Sequence, residues 1–292
     1  MLHRLLPVID PRMYTAPVHE PDATVSIRYL GTAGFVVTAG QHTVVLDPYV
    51  SRPGLLASLR PLVPDAERIA RLLPHANDVV VGHAHHDHVL DAPTLCAQTG
   101  ARFIGSPSAC NVARAAGLPE TQLLETLGRE DIPTGPGTLR GIPSRHGRVY
   151  FGRVTLPGTI EAPPPWPPRI FHLKHGHVLN WLLELGGVRI VHVDSADFIE
   201  REMASVGRAD IACLCAIGRK YRPGFVRQAI ELLQPRYVMA CHWDWFLTPY
   251  DAPPRLLPGV DLPGFLDEVR AAGSTPILSP FEGMVHLAPC PV

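Results

Sequence analysis

The sequence predicts an α/β protein of the α+β type, in which two mixed β-sheets pack together and helices cover their outer faces. Two observations carry that expectation. Each half of the chain runs strands first and then strands alternating with helices, so the same layered unit reads twice. The composition, 46% hydrophobic and 18% charged over 292 residues, supplies a core large enough to need no disulfide or metal staples. The chain therefore reads as a single domain, 1–292, built from two similar halves, with residues 1–23 as an N-terminal extension.

The first half opens on a β-meander. Thr24-Val-Ser-Ile-Arg-Tyr-Leu30, Gly34-Phe-Val-Val-Thr38 and Thr43-Val-Val-Leu-Asp47 are strand-like runs broken at Gly31 and Gly40. A short helix follows from Asp65, which stands in the N-cap region, with Pro74 beyond its end. Asp78-Val-Val-Val-Gly82 is a compact apolar strand, and helix-like segments at 91–99 and 107–116 flank the strand Arg102–Gly105. In the second half, strands are expected at 137–143, 178–185 and 188–193, then a helix near 199–206. A strand at 210–217, a helix at 224–233, a strand at 236–241 and a helix near 263–272 complete the pattern. Residues 157–170 hold Ala162-Pro-Pro-Pro-Trp-Pro-Pro168, which must be extended, as a plain surface crossing or as a semi-rigid flap in which Trp166 can dock.

Several classes are excluded early. With 26 Lys+Arg against 27 Asp+Glu, no excess of cations exists to displace counterions, so no nucleic-acid partner is expected. No apolar run approaches the ~18 residues that cross a bilayer, so no membrane partner is expected either. The apolar start is too short for a signal peptide and ends at Asp10-Pro11. The six cysteines (96, 110, 213, 215, 241 and 290) form no CxxC pair and read as buried small hydrophobes. A cytoplasmic protein acting on a small-molecule substrate is the expectation, with a homo-oligomer left open.

The chemistry concentrates in Gly82-His-Ala-His-His-Asp-His88, which places four of fifteen histidines and one carboxylate within six residues. His83 and His85 alternate just after a strand, so both imidazoles can converge on one cation. Asp87 and His88 are offset as the chain turns and can face a second. Neutral imidazole with carboxylate suits zinc, and also manganese or iron.

His83-x-His85-x-Asp87-His88 after an apolar strand resembles the signature of the metallo-β-lactamase superfamily, and the resemblance runs from about residue 24 to 286. Tyr29-Leu-Gly-Thr-Ala-Gly-Phe35 and Val45-Leu-Asp-Pro-Tyr49 are similar to segments of the branch that includes ascorbate-6-phosphate lactonase. The resemblance implies an αββα sandwich and three further ligands. His146 fits the histidine that completes the first site, with His172, His175 and His177 as rivals. Asp194 fits the aspartate that bridges two metals, although Val193 and Ser195 stand where the family commonly has glycine and threonine. His242, ending Tyr237-Val-Met-Ala-Cys-His, fits the last ligand. The implied sets are His83, His85 and His146 on one metal, and Asp87, His88 and His242 on the other, with Asp194 between. Asp47 fits an acid that orients an imidazole.

Such a pair of divalent ions, most readily Zn2+, with Mn2+ or Fe as alternatives, would sit ~3.5–4 Å apart and supply hydroxide at neutral pH. The implied enzyme is a dinuclear hydrolase of an ester, a lactone or a phosphodiester, with Asp87 and Asp194 as catalytic carboxylates. An iron-dependent oxidoreductase of the same fold, or a non-catalytic metal-binding protein, are the alternatives. For substrate binding, Arg219 and Tyr221 in the basic run Arg219–Arg222 would suit phosphate, whereas Trp166 and Trp243 would suit an apolar substrate.

Overall fold

The computed structural model describes residues 6–290. Its first sheet is built from β1 (Val25–Gly31), β2 (Gly34–Ala39), β3 (His42–Leu46), β4 (Asp78–Val80), β5 (Arg102–Gly105) and β6 (Leu123–Glu125). The last strand, β14 (Met284–Leu287), returns to pair with β1. The second sheet contains β7 (Asp131–Thr134), β8 (Gly137–Pro143), β9 (Leu179–Leu185), β10 (Val188–Val193), β11 (Ile211–Cys215), β12 (Tyr237–Cys241) and β13 (Thr275–Ile277). The strand orders are β14-β1-β2-β3-β4-β5-β6 and β13-β12-β11-β10-β9-β8-β7.

Both sheets are mixed in the same way. Antiparallel hairpins lead into a parallel stretch, β3 to β6 in one sheet and β10 to β13 in the other. The hairpins follow from local chemistry: Gly186 and Gly187, with φ of 56° and 79°, form the two-residue turn that joins β9 to β10. The parallel strands are joined by helices, as they must be. These are α1 (Ala66–Leu72), α2 (His86–Val89), α3 (Ala92–Thr99) and α4 (Pro107–Ala115) in the first half, and α5 (Glu200–Ala204), α6 (Phe225–Leu233) and α7 (Leu262–Ala271) in the second. Ser106 caps α4 with Pro107 at its first position, and Gly100 closes α3 in the left-handed region.

Two apolar clusters fix the layers. One joins the facing sides of the sheets, through Phe35, Leu46, Trp181 and Val191, and continues beneath α6 and α7. The other lies between the first sheet and α1, α3 and α4, through Val45, Ile69, Leu95 and Phe103. The expected two-sheet architecture is thus present, with helices outside each sheet.

Three expectations need correction. The short strands β6, β7, β13 and β14 are absent from the sequence reading, because three or four residues at a sheet edge or in a connection carry too little periodicity. His86–Val89, read as a turning loop, forms one helical turn. Residues 6–23 are part of the fold rather than an extension: Ile9 is buried and its N–H donates to Pro254 O at 3.1 Å. Glu20 accepts from Arg236 and from the Tyr237 hydroxyl at 2.6 and 2.9 Å. Among the described residues no helix is long and apolar enough to cross a membrane.

Candidate metal centre

Ligands in open α/β sheets gather outside the carboxyl ends of parallel strands. Here those ends converge from both sheets. β4 delivers His83 and, through α2, Asp87 and His88; β3 delivers Asp47; β10 delivers Asp194; and β12 delivers His242. His146 lies on the segment after β8. Seven expected donors thereby come together in three overlapping groups, His83/His85/His146, His83/His88/Asp194 and Asp87/His88/His242, whose donor atoms lie within 4.8 Å of one another. All are buried except His146, which is intermediate.

The backbone around them explains why these residue types stand where they do. A Cβ on Gly82 would come within 2.2 Å of Asp194 Oδ2, so a bare glycine is what admits the aspartate. The Gly82 N–H donates to Asp47 Oδ1 at 2.7 Å. Ser195, in place of a threonine, is buried and its Oγ accepts the Gly147 N–H at 2.8 Å, which ties the His146 loop to the end of β10. Val193, in place of a glycine, packs in the core.

Hydrogen bonding assigns the imidazole tautomers. A carbonyl oxygen only accepts, so His85 donates from Nε2 to Thr155 O at 3.1 Å and His146 donates from Nδ1 to Gly147 O at 2.7 Å. His83 Nδ1 lies 2.6 Å from Asp194 Oδ2 and His88 Nδ1 lies 2.9 Å from Asp47 Oδ2, each placed to donate to the carboxylate. What remains at the centre is acceptor-only. His83 Nε2 and His85 Nδ1 face each other at 3.0 Å. Burial, and then the neighbouring imidazoles, push both rings well below the usual histidine range, and burial lowers His146 to about 4. Two neutral rings therefore point lone pairs at one another.

The second group is different in kind. Burial would raise Asp87, but the imidazoles of His88, His86 and His242 outweigh it and keep the carboxyl well below its ordinary value. Asp87 Oδ2 lies 3.2 Å from His242 Nε2 and 3.8 Å from His88 Nε2. Burial opposes a charged His88, but the Asp47 and Asp87 carboxylates prevail and raise it. Asp47 itself is raised, chiefly by burial. Asp194 Oδ1 and His242 Nδ1 are buried with no hydrogen-bond partner among the described residues. Facing lone pairs, a buried carboxylate among imidazoles and an orphaned carboxylate oxygen are the donor chemistry that divalent cations satisfy.

The donors line a cavity of about 330 Å³. Its other walls include Val149, Tyr150, Leu156, Ile170, Ile217 and Phe246, and among the described residues neither Lys nor Arg lines it. Leu156 and Ile170 belong to the ends of the proline-rich crossing, which is tied down by Ile160 N–H to Ser108 Oγ at 2.9 Å.

The expected substrate-binding residues lie elsewhere. Arg219 is held by Asp261 and Glu268 at 3.2 and 3.0 Å and does not line the cavity. Tyr221 lines a neighbouring hollow with Phe151 and Pro258. Trp166 packs against the first-sheet cluster, and Trp243 is fully buried in the core. These two tryptophans were drawn into packing instead of the cavity, whose aromatic wall is Tyr150 and Phe246. Of the rivals to His146, His175 stacks on that ring at 5.6 Å, whereas His146 lies 4.8 Å from both His83 and His85. Tyr150 and the aliphatic wall had no signal in the sequence.

A family model described as a beta-lactamase superfamily domain matches residues 26–242, which contain every donor above. The chain belongs to this superfamily. A UPF0173 metal-dependent hydrolase of Symbiobacterium thermophilum is 27% identical over 257 residues, covering 85% of this chain and 93% of that protein. Among solved structures, Igni18, described as a metallo hydrolase from the archaeon Ignicoccus hospitalis, aligns with a TM-score of 0.60 at 18% identity, over 90% of this chain and 99% of that one. CmlA, a diiron β-hydroxylase from Streptomyces venezuelae, aligns at 0.57 and 15% identity, over 92% of this chain and 55% of its own. The last two likenesses show the metallo-β-lactamase fold alone. The protein is a superfamily enzyme of the metal-dependent hydrolase type.

Proposed function

We propose that this enzyme is a dinuclear hydrolase of a small, uncharged carbonyl compound, a lactone or carboxylic ester. The observation that carries the reading is the cavity: seven acceptor-rich donors share it with aliphatic and aromatic walls, and among the described residues no Lys or Arg side chain lines it. A phosphodiester would bring a negative charge into that space with no Lys or Arg to meet it.

His83, His85 and His146 would hold one divalent ion, and Asp87, His88 and His242 the other, with Asp194 between. Zinc suits the donors best, and bound ions would supply an activated water and polarise the carbonyl. Asp194 and Asp47 orient the imidazoles of His83 and His88 by accepting from their Nδ1–H groups. Asp87 is assigned to orient the water and to return its proton to the leaving alcohol oxygen. Leu156, Ile170 and Phe246 exclude bulk water and receive the apolar part of the substrate.

The second reading, an iron-dependent oxidoreductase, has in its favour that these donors also accept iron. A panel of lactones, carboxylic esters and bis(p-nitrophenyl) phosphate, assayed with the zinc- or manganese-loaded enzyme, tests the proposal. Turnover of carbonyl substrates is expected. Activity confined to the phosphodiester would overturn it, and stoichiometric iron with oxygen consumption would establish the oxidoreductase.

A further inference from the structure

A buried ion pair beside the metal centre is used by none of the chemistry above. Arg52 Nη1 and Asp244 Oδ2 lie 2.7 Å apart, and both side chains are 0% exposed. Buried pairs of this kind are weak evidence for stability, because desolvation offsets their attraction. Their neighbours suggest another role. Asp244 Oδ1 accepts from the Thr32 N–H at 2.7 Å and from the Tyr29 hydroxyl at 3.1 Å. The second arm of Arg52 donates to Thr32 Oγ1 at 3.0 Å. Thr32 is therefore gripped on its backbone and on its side chain.

Thr32 in turn holds His242. Its carbonyl accepts the His242 N–H at 2.5 Å. Three residues of this circuit, Thr32, Arg52 and His242, have φ of 52°, 42° and 52°, in the left-handed region that side chains rarely adopt. Such backbones persist only where the surroundings over-determine them. The surroundings here are the ion pair, the Phe281 ring 4.6 Å from the Arg52 guanidinium, and Gly31, where a Cβ would strike Arg52 at 2.2 Å. The strained turn at His242 aims Nε2 at Asp87, 3.2 Å away.

We propose that Asp244, clamped by Arg52, is a positioning residue for His242, acting through Thr32 to hold that imidazole in place for the cation shared with Asp87 and His88. The inference rests on the reading of His242 as a ligand. It also accounts for the Tyr29–Phe35 segment, whose Thr32 and Gly31 are parts of the clamp.

The test compares wild type, Asp244→Asn and Arg52→Lys as full-length chains. Zinc binding is followed by calorimetry and metal analysis, with His242→Ala marking the site concerned. In Asp244→Asn one of two zinc equivalents should bind at least about tenfold more weakly while the other keeps its affinity. Arg52→Lys, which retains the charge, should show the same selective loss to a smaller degree and serves if Asp244→Asn does not fold. In the metal-free proteins, the His242 ring resonances should shift while those of His85 stay in place. Folded variants that bind both equivalents normally, or lose both equally, would overturn the proposal, as would unmoved His242 resonances. A wild type that binds fewer than two equivalents would instead count against the dinuclear reading, and the ring resonances would still decide the clamp.

Discussion

The two donor groups of this site are held by different means. His83, His85 and His146 are three neutral imidazoles, and two of them are oriented by main-chain carbonyls of cavity-lining loops, Thr155 and Gly147. Asp87, His88 and His242 include a carboxylate and are oriented by buried charge: Asp47 on His88, and the Arg52–Asp244 pair behind Thr32 and His242. A carboxylate in a dry site attracts a cation more strongly than an imidazole does. On the proposed dinuclear reading, the charged group would favour affinity and the neutral group access. The Asp87 group should therefore hold its ion more tightly.

The largest effect that would break this comparison comes from the donors themselves. His85→Ala and His242→Ala should each lower kcat/KM by roughly 10³-fold, since each removes one cation's share of charge stabilisation. Metal analysis should then separate them. His85→Ala should keep one tightly bound equivalent, and His242→Ala should lose the tight one. Equal affinities in both variants would erase the distinction.

Next in size is a buried carboxylate that touches neither group. Asp91 accepts from the Val50 and Ser51 N–H groups at 2.6 and 2.8 Å, and burial raises it from 3.8 to about 6. A raised carboxyl favours the fold when protonated, so its contribution is complete below about pH 3.8 and is lost as pH rises through about 6. Asp91→Asn should flatten the pH dependence of stability between those values. Its zinc stoichiometry should match wild type. Urea titrations at several pH values would show both slopes, and an unchanged pH dependence would contradict the assignment.

Asp47→Asn sharpens the comparison from the other side. The amide would present a donor to His88 Nδ1, and zinc affinity should fall about 10–100-fold at the Asp87 group only. Calorimetric titration reads the effect, and a loss confined to the His85 group would reverse the account. The smallest effect is expected at Arg219. Its charge is already met by Asp261 and Glu268 outside the cavity, so Arg219→Ala should leave kcat/KM within about twofold.

Legibility in the sequence followed the same division. The His83–His88 run could be read directly because its spacing after an apolar strand is local. His146, Asp194 and His242 needed a family pattern, since nothing in one sequence says that strands so distant in the chain as β4, β8, β10 and β12 end at one place. The layered fold was readable from long periodic segments such as β9 and α6, and the three-residue edge strands were not. Arg52 and Asp244 were invisible as a pair: they stand 192 residues apart, and each alone reads as an ordinary surface charge. The cavity wall was misjudged for a related reason. Tryptophans and a basic run are conspicuous in sequence, but Trp243 was taken by the core and Arg219 by its own carboxylates, leaving Leu156, Ile170 and Phe246 to line the site.

The most direct test is a zinc titration of the metal-free wild-type protein, followed by calorimetry with metal analysis of the saturated product. The account predicts two equivalents bound in two resolved steps, the tighter one abolished by His242→Ala. One equivalent or none at saturation, or two with the tighter step surviving His242→Ala, would contradict it.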